Sequence, residues 1–391
     1  MWQKVKLGSV CTIERGSSPR PIDNYITDDK NGVNWIKIGD TSDSMFITST
    51  AQKITREGMK KSRYVQPGDF LLSNSMSFGR PYILGIDGCI HDGWLVLHDT
   101  EGRFDKHFLY YYLSAPNTYE MFKSLAVGGV VNNLNSEMVR GVDVPLPPLD
   151  VQRRIASVLD KISDLIALRK RQLAKLDELV KARFVEMFGD MLINPFGWPE
   201  ERLDTVSSIV SGITKGRKAK NCELFEVPYM AVSNVKDGYI DWTTVKMILA
   251  TQTEIKQYRL LPYDVLMTEG GDPDKLGRGA IIYNPPENCI HQNHIFRVRL
   301  NPKYALPVFF VQYLQQQRAK RYFLGCAKQT TGIASINMKQ LSAFPALLPP
   351  IEMQHQFSDF VAQIDKSKSV VRQGLDKLEM LKSALMQEYF G

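Results

Sequence analysis

Two stretches of the chain carry its most regular alternation of apolar and polar positions. In the first, Ile155, Val158, Ile162 and Leu165 return at spacings of three and four, and Leu173, Leu176 and Val180 resume the pattern. In the second, Phe357, Phe360, Ile364, Val371, Leu375, Leu378 and Leu385 do the same. Each stretch follows a Pro-Pro pair (Pro147-Pro148, Pro349-Pro350) and holds no interior proline. The pattern therefore predicts two helices of about 38 residues, each about 57 Å long at 1.5 Å per residue. A helix with one apolar stripe has to cover it, and the chain supplies a twin with the same stripe. An intramolecular coiled coil is expected, antiparallel because a whole globule separates the two helices. Gly374 inside the second helix costs about 1 kcal/mol relative to alanine, and Arg169 and Ser367 interrupt the stripe near its middle.

The two helices belong to an internal repeat. Shifting the sequence by 202 positions lays residues 129–189 on 331–391 without a gap. Leu146-Pro147-Pro148 falls on Leu348-Pro349-Pro350, Gln152 on Gln354, Lys175-Leu176 on Lys377-Leu378, and Phe188-Gly189 on Phe390-Gly391. Upstream the match needs small gaps but keeps its order. There Gly32-Val33-Asn34-Trp35-Ile36 lies against Glu226-Val227-Pro228-Tyr229-Met230, Pro67-Gly68-Asp69 against Pro262-Tyr263-Asp264, and Cys89-Ile90-His91 against Cys289-Ile290-His291. The chain is thus two tandem units with divergent fronts and matching tails, which fits fronts that read different things and tails that do one job.

The fronts mix short β-branched and aromatic runs, such as Val33–Ile38, Phe70-Leu71-Leu72 and His294–Arg299, with Gly and Pro turns. Helical spacing also occurs within them, notably at Lys106–Leu113, with Asp105 as its cap candidate, and at Val308–Arg321 after Pro307. Each front reads as a mixed α/β globule. The fold class expected is α+β: two mixed α/β domains separated by two long antiparallel coiled-coil helices, with a pseudo-twofold internal repeat. The expected divisions are a first domain at 1–147, a central long helix at 148–189, a second domain at 190–349 and a C-terminal long helix at 350–391.

Composition narrows the class. The 391 residues are 43% hydrophobic and 23% charged, as in an ordinary globular protein, and no apolar run suggests a membrane span or a secretory signal. A cytoplasmic location without membrane contact is expected. The five cysteines are odd in number, scattered and without C-x-x-C spacing, which argues against a disulfide framework or a zinc site. The net charge of +7 permits a polyanionic partner without requiring one.

No sequence pattern supports catalysis, a cofactor or a metal. Asn284-Pro285-Pro286-Glu287 lacks the final aromatic of the amino-methyltransferase tetrad, and no glycine-rich dinucleotide or phosphate loop occurs. His291-x-x-His294 lacks the helical spacing and the glutamate of a metalloprotease pair. Glu254-Ile255-Lys256 matches three letters of a nuclease motif in what reads as a helix. Basic, glycine-flanked loops remain, where backbone can approach phosphate closely and arginine can read guanine. Their candidate DNA-binding residues are Arg20, Ser77, Gly79, Arg80, Lys215, Arg217, Lys218, Lys275, Gly277 and Arg278. Those around Arg80 and Arg278 hold equivalent places in the two halves.

This layout resembles the specificity subunit of type I restriction-modification systems over the full length of the chain. The residues that carry the resemblance are Leu134-Asn135 and Ile336-Asn337, Val144–Leu149 with Gln152, Leu347–Ile351 with Gln354, and the Phe188-Gly189-Asp190 to Asn194–Pro199 junction. The family usually has Glu directly before that Gln, where this chain has Val151 and Met353. The resemblance implies a non-catalytic reader of double-stranded DNA in which each target-recognition domain contacts half of a bipartite site. It further implies that the helices set the gap and dock two modification subunits, with restriction subunits joining through the full complex. Residues 153–183 carry nine basic side chains against four acidic ones, which suits either a solvated face or a partner or DNA surface. A self-sufficient methyltransferase or nuclease and a protein-only coiled-coil scaffold are the competing readings.

Overall fold

Leu149–Phe188 and Ile351–Phe390 are continuous helices of 40 residues each. They appear in a computed structural model that describes residues 2–74, 79–126, 133–216, 223–272, 276–330 and 333–391. The first helix stops at Gly189, whose φ of 75° is the left-handed conformation that glycine adopts without a Cβ penalty. Among the described residues, no helix is long and apolar enough to cross a membrane.

The chain divides into two compact units, Met1–Lys170 with Gln373–Gly391, and Arg171–Arg372. Each unit therefore contains one globule and part of both long helices. In the first unit, Ile155, Ala156 and Leu159 from the start of the first long helix share a core with Met386 and Phe390 from the end of the second. The Phe390 ring meets Phe108 at 5.5 Å and Tyr112 at 5.8 Å between centroids. In the second unit the roles are exchanged. Val180, Phe184 and Phe188 from the end of the first long helix pack with Phe357 and Ile364 from the start of the second, and with Phe309, Phe310 and Tyr313. The helices run antiparallel within each unit, with Lys170 beside Glu379 (3.1 Å) in one and Asp177 beside Lys368 (2.6 Å) in the other.

The buried seam of the first helix differs from the expected stripe by one position. Leu159 is buried while Val158 is only half-buried, and Leu165 remains 44% exposed beside a half-buried Ile166. Adjacent positions are both apolar here, so periodicity alone cannot choose between them. On the second helix, Phe357, Ile364 and Val371 are buried as expected, and Lys368 rather than Ser367 enters the seam. A Cβ added at Gly374 would find its nearest neighbour, Arg169 Nε, at 3.9 Å. Gly374→Ala is therefore expected to stabilise the protein by about 1 kcal/mol. Chemical denaturation would show this as a higher midpoint at unchanged slope.

Each globule is closed by pairing its first strand with its last. Lys4–Lys6 pairs antiparallel with Asp143–Pro145, and Glu200–Arg202 with Pro345–Leu347. The Pro-Pro pair then ends the ladder, because proline donates no backbone hydrogen bond. Inside the first globule, one five-stranded sheet runs in the order Thr12–Arg15, Trp94–His98, Phe70–Ser73, Pro81–Leu84, Phe46–Ile47. The second globule repeats the first four as Ser207–Ser211, Ile295–Leu300, Val265–Thr268, Gly279–Ile281. A further sheet in each places Val33–Ile36 parallel to Gly88–Ile90, and Phe225–Met230 parallel to Ile290–His291.

The helical segment expected at Val308–Arg321 is two helices, Pro307–Leu314 and Gln317–Cys326. The break comes at Gln316, whose backbone is extended. The first globule breaks at the same place, between Lys106–Ser114 and Pro116–Ala126. There the ring of Pro116 disfavours a helical Ala115. The bend in the second globule needs no proline, and it brings Tyr313, Leu314, Ala319 and Phe323 into one core.

Candidate nucleic-acid interface

Arg80 stands at the foot of the hairpin formed by Phe70–Ser73 and Pro81–Leu84. Its amide donates to Ser73 Oγ at 2.9 Å, and its carbonyl accepts from the Ser73 amide at 2.9 Å. Gly79 precedes it at φ 77°, close enough to Phe122 that an added Cβ would lie 3.0 Å from the ring. The exposed arginine borders a cleft of about 370 Å³ lined by Ser42, Asp43, Ser44, Tyr110, Leu113 and Tyr119.

The second globule builds the same cleft from equivalent positions. Gly277 has φ 73° and lies against Phe323, leaving no room for a Cβ. Arg278 follows it, beside a cleft of about 350 Å³ lined by Asp237, Leu276, Leu314, Gln315 and Lys320. Arg278 is half-buried, and its Nε is buried without a hydrogen-bond partner among the described residues. Each cleft thus sets an arginine, an aspartate and a leucine between a left-handed glycine turn and a helix pair. Sequence reasoning did not single out Asp43 and Asp237. Yet the register that lays Trp35 on Tyr229 also lays Asp43 on Asp237, so the signal was present in the repeat.

Arg20 belongs to a different groove. Its Nη2 lies 3.2 Å from Asp92 Oδ2, at the edge of a cavity of about 750 Å³ that also meets Trp35, Lys37, Gln52 and His91. Burial raises the Asp92 carboxyl pKa, but the Ser18 hydroxyl, His91, Arg20 and Arg15 outweigh it and hold the group below the usual aspartate range. Lys37 donates to Gln52 Oε1 at 2.7 Å across the same groove. Lys215 is exposed on a turn before Gly216, whose φ is 78°. Ser77, Arg217, Lys218 and Lys275 lie outside the described residues.

The motifs set aside on sequence grounds have structural roles. His291 is fully buried between the carbonyls of Tyr258 and Val210, and burial pushes its pKa down to about 4. His294 Nδ1 meets Glu269 Oε2 at 2.5 Å. Glu254 closes a capping box with Thr251 at the start of its own helix. Asn284–Glu287 leads into a turn over residues 286–289, closed by the Cys289 amide donating to the Pro286 carbonyl. Burial raises the thiols of Cys11 and Cys289 to about 12 and that of Cys89 to about 11, the state of unreactive core cysteines. Cys222 lies outside the described residues. No group of three or more potential ligands could hold a metal ion among the described residues.

One family description, "Type I restriction modification DNA specificity domain", matches twice, at residues 1–178 and 195–380. The chain belongs to the type I restriction-modification DNA specificity family. Among members of this specificity family, the EcoKI specificity subunit of Escherichia coli strain K12 is 20% identical over 414 residues, covering 100% of this chain and 88% of that protein. The StySPI specificity subunit of Salmonella potsdam is 19% identical, again over 100% of this chain and 88% of that protein. The fold is shared with the S subunit of a type I restriction-modification system from M. genitalium, at a TM-score of 0.57 and 15% identity over 100% of this chain and 96% of that one. A chain of a type I R-M system solved for its complex assembly and conformational transition superposes at a TM-score of 0.61 and 17% identity, covering 100% and 97%.

Proposed function

We propose that the chain is the DNA sequence-specificity subunit of a type I restriction-modification complex, in which residues 1–147 and 190–349 each read one half of a bipartite target. The observation that carries this reading is the repeated cleft, with Gly79-Arg80 and Gly277-Arg278 set alike against Phe122 and Phe323. Two copies of one basic site on two otherwise divergent globules suit two related but different DNA half-sites. Arginine at such a place can grip phosphate or bind guanine bidentately, and the facing aspartate can accept from the exocyclic amine of cytosine. Arg20, Lys215 and the remaining loop candidates, Ser77, Arg217, Lys218 and Lys275, extend the proposed contact surface.

The long helices, 148–189 and 350–391, set the gap between half-sites and dock two modification subunits, which supply methyl transfer. Restriction subunits join through the same complex. Exposed apolar positions support this. Leu168 and Leu179 on the first helix and Val370 and Leu381 on the second occupy matching repeat positions, and Val370 is 70% exposed. A surface repeated in this way fits two copies of one partner.

Footprinting of the chain together with its modification subunit is expected to protect two half-sites with an unprotected gap. One contiguous protected site would overturn the reading, as would methyl transfer to DNA by the purified chain alone. Replacing Arg80 or Arg278 by alanine is expected to weaken binding by about 1 to 3 kcal/mol for each base that the arginine reads, at one half-site only. A weakening that is uniform across sequences, with the salt dependence reduced by about one unit, would assign the arginine to phosphate instead. Unchanged binding would remove these clefts from the interface.

A further inference from the structure

The clearest unassigned feature lies where each globule passes into its long helix. Gln152 and Gln354 sit one turn into the two helices, and both are fully buried. Gln152 Nε2 donates to the carbonyls of Pro147 (2.8 Å) and Arg103 (3.0 Å), while its Oε1 accepts from the Asp105 amide at 2.8 Å. Gln354 Nε2 donates to the carbonyls of Pro349 (2.8 Å) and Tyr304 (3.0 Å), and its Oε1 accepts from the Leu306 amide at 2.9 Å. Asp105 and Leu306 are the N-cap residues of equivalent helices in the two globules, Lys106–Ser114 and Pro307–Leu314.

Both donors and the acceptor of each amide are thus committed to backbone groups of the globule and of the Pro-Pro connection. Glutamate at this place has no donor for the two carbonyls. Asparagine is one methylene too short to span the same three partners. Methionine fills the volume but leaves three backbone groups buried without partners. The joint is therefore made of the one side chain whose reach and hydrogen-bonding pattern fit it. It occurs twice, in globules whose recognition surfaces otherwise diverge.

We propose that Gln152 and Gln354 are positioning residues for DNA recognition, each making a recognition domain rigid with its long helix so that discrimination between gap lengths depends on them. The proposal rests on the bipartite reading given above. If the helices set the gap, that setting reaches the DNA only through joints that do not swivel. A loosened joint would let a recognition domain follow a half-site displaced by one base pair, so selectivity for the gap would fall while each half-site was still read.

The test uses the complete complex with its modification subunits and a DNA series in which the half-sites stay constant and the gap varies by one or two base pairs. The wild-type complex is expected to prefer one gap, and Q152M, Q354M and the double variant are expected to lose at least fivefold of that preference while still rejecting altered half-sites. Folded variants that keep the full wild-type preference would overturn the proposal and leave the bipartite reading intact. Variants that lose half-site discrimination as well would assign the residues to the integrity of the recognition domain, which also overturns it. A wild-type complex with no bipartite target would instead overturn the functional reading itself. Should the variants not fold, amide hydrogen exchange of the wild-type complex at Asp105 and Leu306 decides. Faster exchange on DNA with a gap wrong by one base pair supports the joint, and equal exchange on both DNAs overturns it.

Discussion

Deleting one heptad from each long helix, residues 164–170 and 375–381, is expected to move the preferred gap between half-sites to a shorter value. The two segments lie in the same unit, in the part where Lys170 meets Glu379. Removing seven residues from both keeps the seam in phase and shortens the pair by about 10 Å, close to the length of three base pairs. Shortening the gap also turns one half-site around the DNA axis, since B-DNA completes a turn in about 10.5 base pairs. The new optimum should therefore bind more weakly than the wild-type protein binds its own. Methylation assays on the gap series would read both effects, and an unaltered gap preference would contradict a spacing role for the helices.

Replacing Phe184 by alanine is expected to cost about 3 to 5 kcal/mol, the range for a large aromatic removed from a packed core. Phe184 is fully buried, with ring centroids of Phe188, Phe309 and Phe357 at 5.0, 5.5 and 5.4 Å. These rings come from the end of one long helix, the start of the other, and the globule between them. Their loss should loosen the second unit while sparing the first, whose core holds none of them. Hydrogen exchange resolved by segment would show amides of residues 171–372 losing protection. A destabilisation below about 1 kcal/mol, or one spread evenly over both units, would contradict this packing.

The degree to which structure was legible in sequence varied with the range of the interactions. The helices at Leu149–Phe188 and Ile351–Phe390 were readable because their stripes recur over about seven to eight turns without a proline. Asp105 was readable as a local cap signal, and its side chain accepts from the Phe108 amide three residues on. The break after Leu314 was not, because the extended backbone of Gln316 carries no proline or glycine mark and follows from how Ala319 and Phe323 reach the core. The repeat brought Arg80 and Arg278 forward as a pair, but their facing aspartates stood out only once the loops closed around the clefts. Gln152 and Gln354 were visible as landmarks without a role. Their partners lie both five residues back, at the Pro-Pro pair, and about 50 residues back, in the globule, and no periodicity reports such contacts.

By itself, the sequence determined the tandem repeat, the two long helices, their interruption-free length and the equivalence of the two basic turns. These follow from patterns within one segment or from comparing two segments letter by letter. Only the tertiary structure decided that each compact unit combines one globule with parts of both long helices, that Leu159 is buried while Leu165 stays exposed, and that one buried amide secures each globule to its helix. The physical reason is that an apolar stripe specifies a helix but not the surface that covers it. Burial of a given side chain is settled by what the fold sets opposite, often from more than a hundred residues away.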